Sequence, residues 1–93
     1  MTLQVLNNMN PPIFIPLKQG YSFSGIDFQD ESMLTNHAQM ALDSSFSWKI
    51  NGLGENKIRV SSEEVSSISL IPGLIFHIGQ TGFKVVENPL PGI

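Results

Sequence analysis

The sequence predicts an all-β domain, an antiparallel sandwich of about eight to eleven short strands. Three observations carry that prediction. Apolar residues recur two apart in short runs, as in Leu3 and Val5, Trp48 and Ile50, or Phe83 and Val85, which is the period of a strand with one buried face. Turn chemistry built on Gly, Pro, Asn and Ser separates those runs at intervals of roughly 8–12 residues. No segment sustains the apolar stripe of an amphipathic helix.

From the N-terminus, Thr2-Leu3-Gln4-Val5-Leu6 alternates as a first strand, and Asn7-Asn8-Met9-Asn10-Pro11-Pro12 ends it as a turn. Ile13-Phe14-Ile15 begins a second strand, limited by Pro16, which has no N–H for a ladder. Lys18-Gln19-Gly20 reads as the turn of a hairpin that returns through Tyr21-Ser22-Phe23-Ser24. Gly25 permits a bend or bulge, after which Ile26 and Phe28 again stand two apart like strand residues. Asp30-Glu31-Ser32 allows at most one helical turn.

Beyond His37 the alternation sharpens. Ala38, Met40 and Leu42 share one side of a strand, Asp43-Ser44-Ser45 turns the chain, and Phe46, Trp48 and Ile50 point inward from the next. A turn-rich loop spans Asn51 to Asn56, after which Ile58 and Val60 face the core while Lys57 and Arg59 face solvent. Ser61 to Ser69 reads as a polar edge strand or irregular connection whose Glu63 and Glu64 discourage edge pairing. Pro72-Gly73 marks a β-turn. A closing hairpin follows, with Leu74, Phe76 and Ile78 inward, Gly79-Gln80-Thr81-Gly82 as its turn, and Phe83 and Val85 inward again. Residues 1–87 are expected to form one domain, and the Pro-rich residues 88–93 a tail or linker stub.

Composition narrows the function classes. A chain of 93 residues fits a single domain that buries about 60–65% of its unfolded surface. With 41% hydrophobic residues it has the apolar content of a folded protein. Five basic against eight acidic residues give a net charge of −3, so there is no broad cationic field for nucleic acid or acidic lipid surfaces. The absence of Cys excludes disulfides, thiolate metal sites and Cys nucleophiles, and is compatible with the reducing cytoplasm expected here. No signal-peptide pattern and no apolar run of membrane-spanning length is present, so the segment is expected to be soluble and unprocessed, without direct membrane insertion.

The pieces His37-Ala38, Trp48-Lys49-Ile50, Asn56, Ile71-Pro72-Gly73-Leu74-Ile75-Phe76-His77-Ile78-Gly79 and Phe83-Lys84-Val85-Val86 together resemble a forkhead-associated (FHA) domain. That family shows a Gly-Arg pair at a strand end, an Asp before a Ser-Arg-x-His-Ala segment, an Asp-x-x-Ser-x-Asn-Gly-Thr loop and a final hairpin. The match runs from about Gly20 to Val86, with Asp30 on the first Asp, Asn51 on the second, and Asn56 on the loop Asn five residues later. Val60, Leu70 and Pro72-Gly73 reproduce the later positions. The resemblance implies an all-β sandwich whose loops bind phosphothreonine peptides.

The departures concern the phosphate. Gly25 is followed by Ile26 in place of Arg, Leu34 stands three before His37 in place of Ser, and Lys57 replaces the Gly after the loop Asn. In the family the missing Arg and Ser give charge-assisted hydrogen bonds, each worth roughly 1.5–3 kcal/mol. The resemblance therefore implies an interaction module with weak or no phosphothreonine dependence. Its expected partner-binding residues are Lys18, Gly25, Thr35, Asn36, Gly54, Asn56 and Lys57, with His37 structural. Lys18 is expected to be the cation at that end, and the alternative is a phosphothreonine reader using Lys18, Thr35, Asn36 and Asn56 in a shifted site. Similar FHA-like domains without the phosphate residues occur in cytoplasmic parts of inner-membrane ring proteins of type III secretion systems. The expected setting is the N-terminal cytoplasmic part of a larger signalling or secretion-apparatus protein, with homo-oligomers formed through that parent.

Other chemistries find no motif. The two His are forty residues apart without ligand spacing, and no twelve-residue calcium loop surrounds Asp27, Asp30 and Glu31, so no metal or cofactor is expected. There is no Gly-x-Ser-x-Gly elbow, and Gly52-Leu53-Gly54 lacks the Lys-Ser/Thr of a phosphate-cradling loop, so no enzyme is expected. Trp48 is read as core, and His77 as a surface residue.

Overall fold

The computed structural model describes residues 1–6 and 13–87. The turn expected over 7–12 and the tail expected over 88–93 lie outside the described residues. Ten strands and one helical turn follow the chain: β1 (Thr2–Leu6), β2 (Ile13–Pro16), β3 (Ser22–Phe23), α1 (Gly25–Phe28), β4 (Ala38–Leu42), β5 (Trp48–Gly52), β6 (Ile58–Val60), β7 (Glu63–Val65), β8 (Ser67–Ser69), β9 (Ile75–Ile78) and β10 (Thr81–Val86). They form a six-stranded sheet ordered β2-β1-β10-β9-β6-β7 and a four-stranded sheet ordered β3-β4-β5-β8. Every pairing is antiparallel.

Alternation along the strands builds the core between the sheets. Leu3, Val5, Ile58, Phe76, Ile78, Phe83 and Val85 from the larger sheet meet Phe23, Ala38, Met40 and Ile50 from the smaller, all buried. Phe83 is the hub. Its ring packs edge-on against Phe23 at 5.3 Å between centroids and stacks on Phe76 at 5.3 Å, geometries favoured by the ring quadrupole.

Several expectations from sequence give way. The expected hairpin between Ile13-Ile15 and Tyr21-Ser24 does not form, because β2 pairs with β1 in one sheet and β3 with β4 in the other. The Lys18-Gln19-Gly20 turn carries the chain across the sandwich. Ile26 and Phe28 belong to α1, so their spacing reflects one outward and one inward residue of a helical turn. Phe46 is 82% exposed in a left-handed conformation (φ 61°), not inward. Asp43 imposes this by accepting hydrogen bonds at Oδ1 from the Ser45 and Ser47 N–H groups. The Ser-rich stretch resolves into two strands, β7 and β8, one at the edge of each sheet. The closing hairpin turns on Gly79-Gln80 alone, since Thr81 already pairs with Ile78.

Candidate functional site

The loop between β3 and β4 is folded on itself by backbone contacts. Gly25 donates its N–H to the Leu34 carbonyl at 3.3 Å, and its own carbonyl accepts the Asp30 N–H at 2.9 Å. A Cβ at Gly25 would collide with the carbonyl oxygens of Met33 and Asp30, so the close approach requires glycine. Ser24, also buried, accepts the Asn36 N–H on its hydroxyl at 3.0 Å. Phe28 turns inward onto Phe23 and Phe83, which leaves Ile26 outward and 84% exposed.

Asp30 ties this loop to the β9–β10 turn. Its Oδ1 accepts from the Ser32 N–H at 2.9 Å and the Ser32 hydroxyl at 2.6 Å. Its Oδ2 accepts from the Gln80 N–H at 2.9 Å and the Thr81 hydroxyl at 2.6 Å. Loss of hydration, the largest single influence, pushes the carboxyl upward, but hydrogen bonds from Ser32, Thr81 and Gln80 together bring its pKa down to about 2.

His37 joins the second loop to the first. Its Nδ1 accepts the Leu34 N–H at 3.1 Å, so the ring proton sits on Nε2, which donates to the Lys57 carbonyl at 2.9 Å. The His37 carbonyl accepts the Leu53 N–H at 3.0 Å. Both ring nitrogens are thereby occupied by backbone, and neither is free for proton transfer. Gly54 takes the left-handed turn of this loop at φ 66°.

These bonds bring Thr35, Asn36, Gly54, Asn56 and Lys57 to one end of the sandwich; all are exposed except half-buried Asn56. Gly25 belongs to the same loop but is buried, so its part there is to close the loop. Lys18 lies elsewhere. Its own N–H lies 3.5 Å from Met40 Sδ and its neighbour Gln19 accepts the Leu42 N–H at 2.6 Å, placing the Lys18 turn beside the Met40–Leu42 half of β4, away from the Ala38 end. The expected cation at the loop end is therefore not Lys18, and Lys57 holds that position.

A cleft of about 480 Å³ opens beside this end, lined among others by Asn56, Lys57, Arg59, His77 and Gln80. Arg59 and His77 are register partners on β6 and β9. Their outward direction was legible from alternation, but their pairing needed the register. His77 is half-buried, because its ring lies over Gly82, with Nε2 3.0 Å from where a Cβ of Gly82 would stand. Among the described residues no cluster of His, Cys, Asp and Glu is placed to hold a metal ion. No helix among them is long and apolar enough to cross a membrane.

This arrangement of two sheets with joined loops at one end has solved counterparts. The FHA domain of the CT664 protein from Chlamydia trachomatis matches with a TM-score of 0.72 and 23% identity, over 92% of this chain and 95% of that one. The chain has an FHA-like fold. An FHA domain from a structural and functional analysis of phosphothreonine-dependent FHA domain interactions matches with a TM-score of 0.72 and 16% identity, over 97% of this chain and 100% of that one. No family model and no curated protein sequence matches. On the FHA-like frame, Ile26 and Leu34 stand exposed, at 84% and 53%, in the loop that the resemblance gives to the phosphate contacts.

Proposed function

We propose that the chain is a protein–protein interaction module of FHA type that engages its partner through the 24–37 and 53–57 loops, with weak or no dependence on phosphothreonine. The observation that carries this reading is the exposure of Ile26 and Leu34 at the loop end. A branched aliphatic side chain donates nothing to a phosphate, and losing two charge-assisted contacts weakens such binding by roughly two to four orders of magnitude. The same two side chains add apolar area for a protein partner. His37, bonded to backbone through both ring nitrogens, supports a scaffold role over catalysis. The module serves as the N-terminal cytoplasmic part of a larger signalling or secretion-apparatus protein, in line with the resemblance to ring-protein domains that lack the phosphate residues.

The gathering of Thr35, Asn36, Asn56 and Lys57 at one end favours a second reading, a phosphothreonine reader with substitute contacts. Grafting the family residues separates the two. Ile26→Arg combined with Leu34→Ser is expected to bind a phosphothreonine peptide at least about tenfold tighter than the unaltered chain. Equal, phosphate-dependent affinity of both proteins would overturn the first reading in favour of the second.

A further inference from the structure

We infer that the cleft beside the 53–57 loop is a subsite of that same loop end, taking an oxyanion carried on an extended peptide next to a basic residue. This rests on the interaction-module reading and deepens it. Arg59 is exposed and His77 half-buried, and both point outward, since Ile58, Phe76 and Ile78 beside them are buried. Lys57 immediately precedes β6 and lines the same cleft as Arg59. Among the described residues the one ion pair is Lys49 with Asp43, so neither Lys57 nor Arg59 has a carboxylate within 4.0 Å. An unpaired guanidinium presents a planar donor fork that matches carboxylate or phosphate. Asn56 and Gln80 add amide donors at the rim.

Glu55 and Glu64 also line the cleft, and Glu64 stands in register with Arg59 across β6 and β7. Two bases and two acids cancel in formal charge, so a free anion gains little there. A peptide carrying an acid beside a base meets both halves of the pattern. Ile26 and Leu34 do not line the cleft, although Ser32 and His37 of the same loop do.

The test titrates the 93-residue chain, by backbone amide shifts, with a Gly/Ser peptide bearing Glu beside Lys, its Gln twin and its phosphothreonine twin. Shifts of Asn56, Arg59, His77 and Gln80 with the Glu peptide and not the Gln twin are expected. Arg59→Gln should weaken that binding by about tenfold or more, with an otherwise unchanged spectrum, while Lys84→Ala, outside the cleft, leaves it alone. Glu64→Gln should weaken the Glu-Lys peptide and tighten inorganic phosphate. Cleft shifts with the phosphothreonine twin alone would uphold the oxyanion site and overturn the phosphate-independent reading above. Silence at the cleft, shifts confined to the 24–37 loop, or full affinity in Arg59→Gln would overturn this inference and leave that reading standing.

Discussion

The His37 imidazole donates from Nε2 to the Lys57 carbonyl, 2.9 Å away and twenty residues on, while its Nδ1 accepts the Leu34 N–H. One buried ring thus fixes two loops at the same end of the sandwich. His37→Ala leaves a backbone donor and an acceptor unpaired at a buried site and is expected to cost about 2–3 kcal/mol. Denaturant unfolding measures the loss. Amide exchange should quicken at Leu34 and Leu53 together, since one anchor serves both loops.

Asp30 makes the domain sensitive to acid. Its carboxyl titrates near 2 in the folded chain against an ordinary value of 3.8, so the folded state holds the charged form more tightly than the unfolded state does. The stability this supplies is fully present above about pH 4 and is lost as pH falls from about 4 towards 2. Allowing for solvent screening of a half-exposed group, it amounts to about 1–2 kcal/mol. Unfolding measured across that range should show a shallower pH dependence in Asp30→Asn than in the unaltered chain.

Gly79 holds the β9–β10 turn against the Asp30 loop with φ 62°, and an added Cβ would stand 2.9 Å from both Asp30 Oδ2 and the Met33 nitrogen. Gly79→Ala combines a left-handed conformation with a clash and should destabilise by about 2–3 kcal/mol. Gly54→Ala, with a left-handed φ but open space around it, should cost only about 1 kcal/mol. Thermal unfolding of the two variants gives the comparison, and equal losses would mean that the Asp30 loop yields to the methyl.

Much of the sandwich was legible because its strands bury one face. Leu3 and Val5, Met40 and Ile50, and Phe83 and Val85 announce their direction by period alone. What period cannot report is which strand lies beside which. Ile13-Phe14-Ile15 and Tyr21-Ser22-Phe23 look like two arms of a hairpin, yet a three-residue turn serves equally well to cross between sheets. Ile26 and Phe28 mimic a strand because a single helical turn is too short to display its own period. Phe46 and Lys18 were misplaced for a related reason, since local turns held by Asp43 and Gln19 set their positions. The resemblance placed His37 and Asn56 on neighbouring loops, whereas the Arg59–His77 cleft depends on register and left no mark in local sequence.

On the proposed reading, the loop end recognises protein without needing phosphate. The most direct test titrates the chain with a degenerate phosphothreonine peptide library and its unphosphorylated twin, reading amide shifts around Ile26, Leu34 and Thr35, which lie outside the cleft. No phosphate-dependent shift is expected at this loop. Shifts there only with the phosphorylated library, at dissociation constants of roughly micromolar strength, would contradict it.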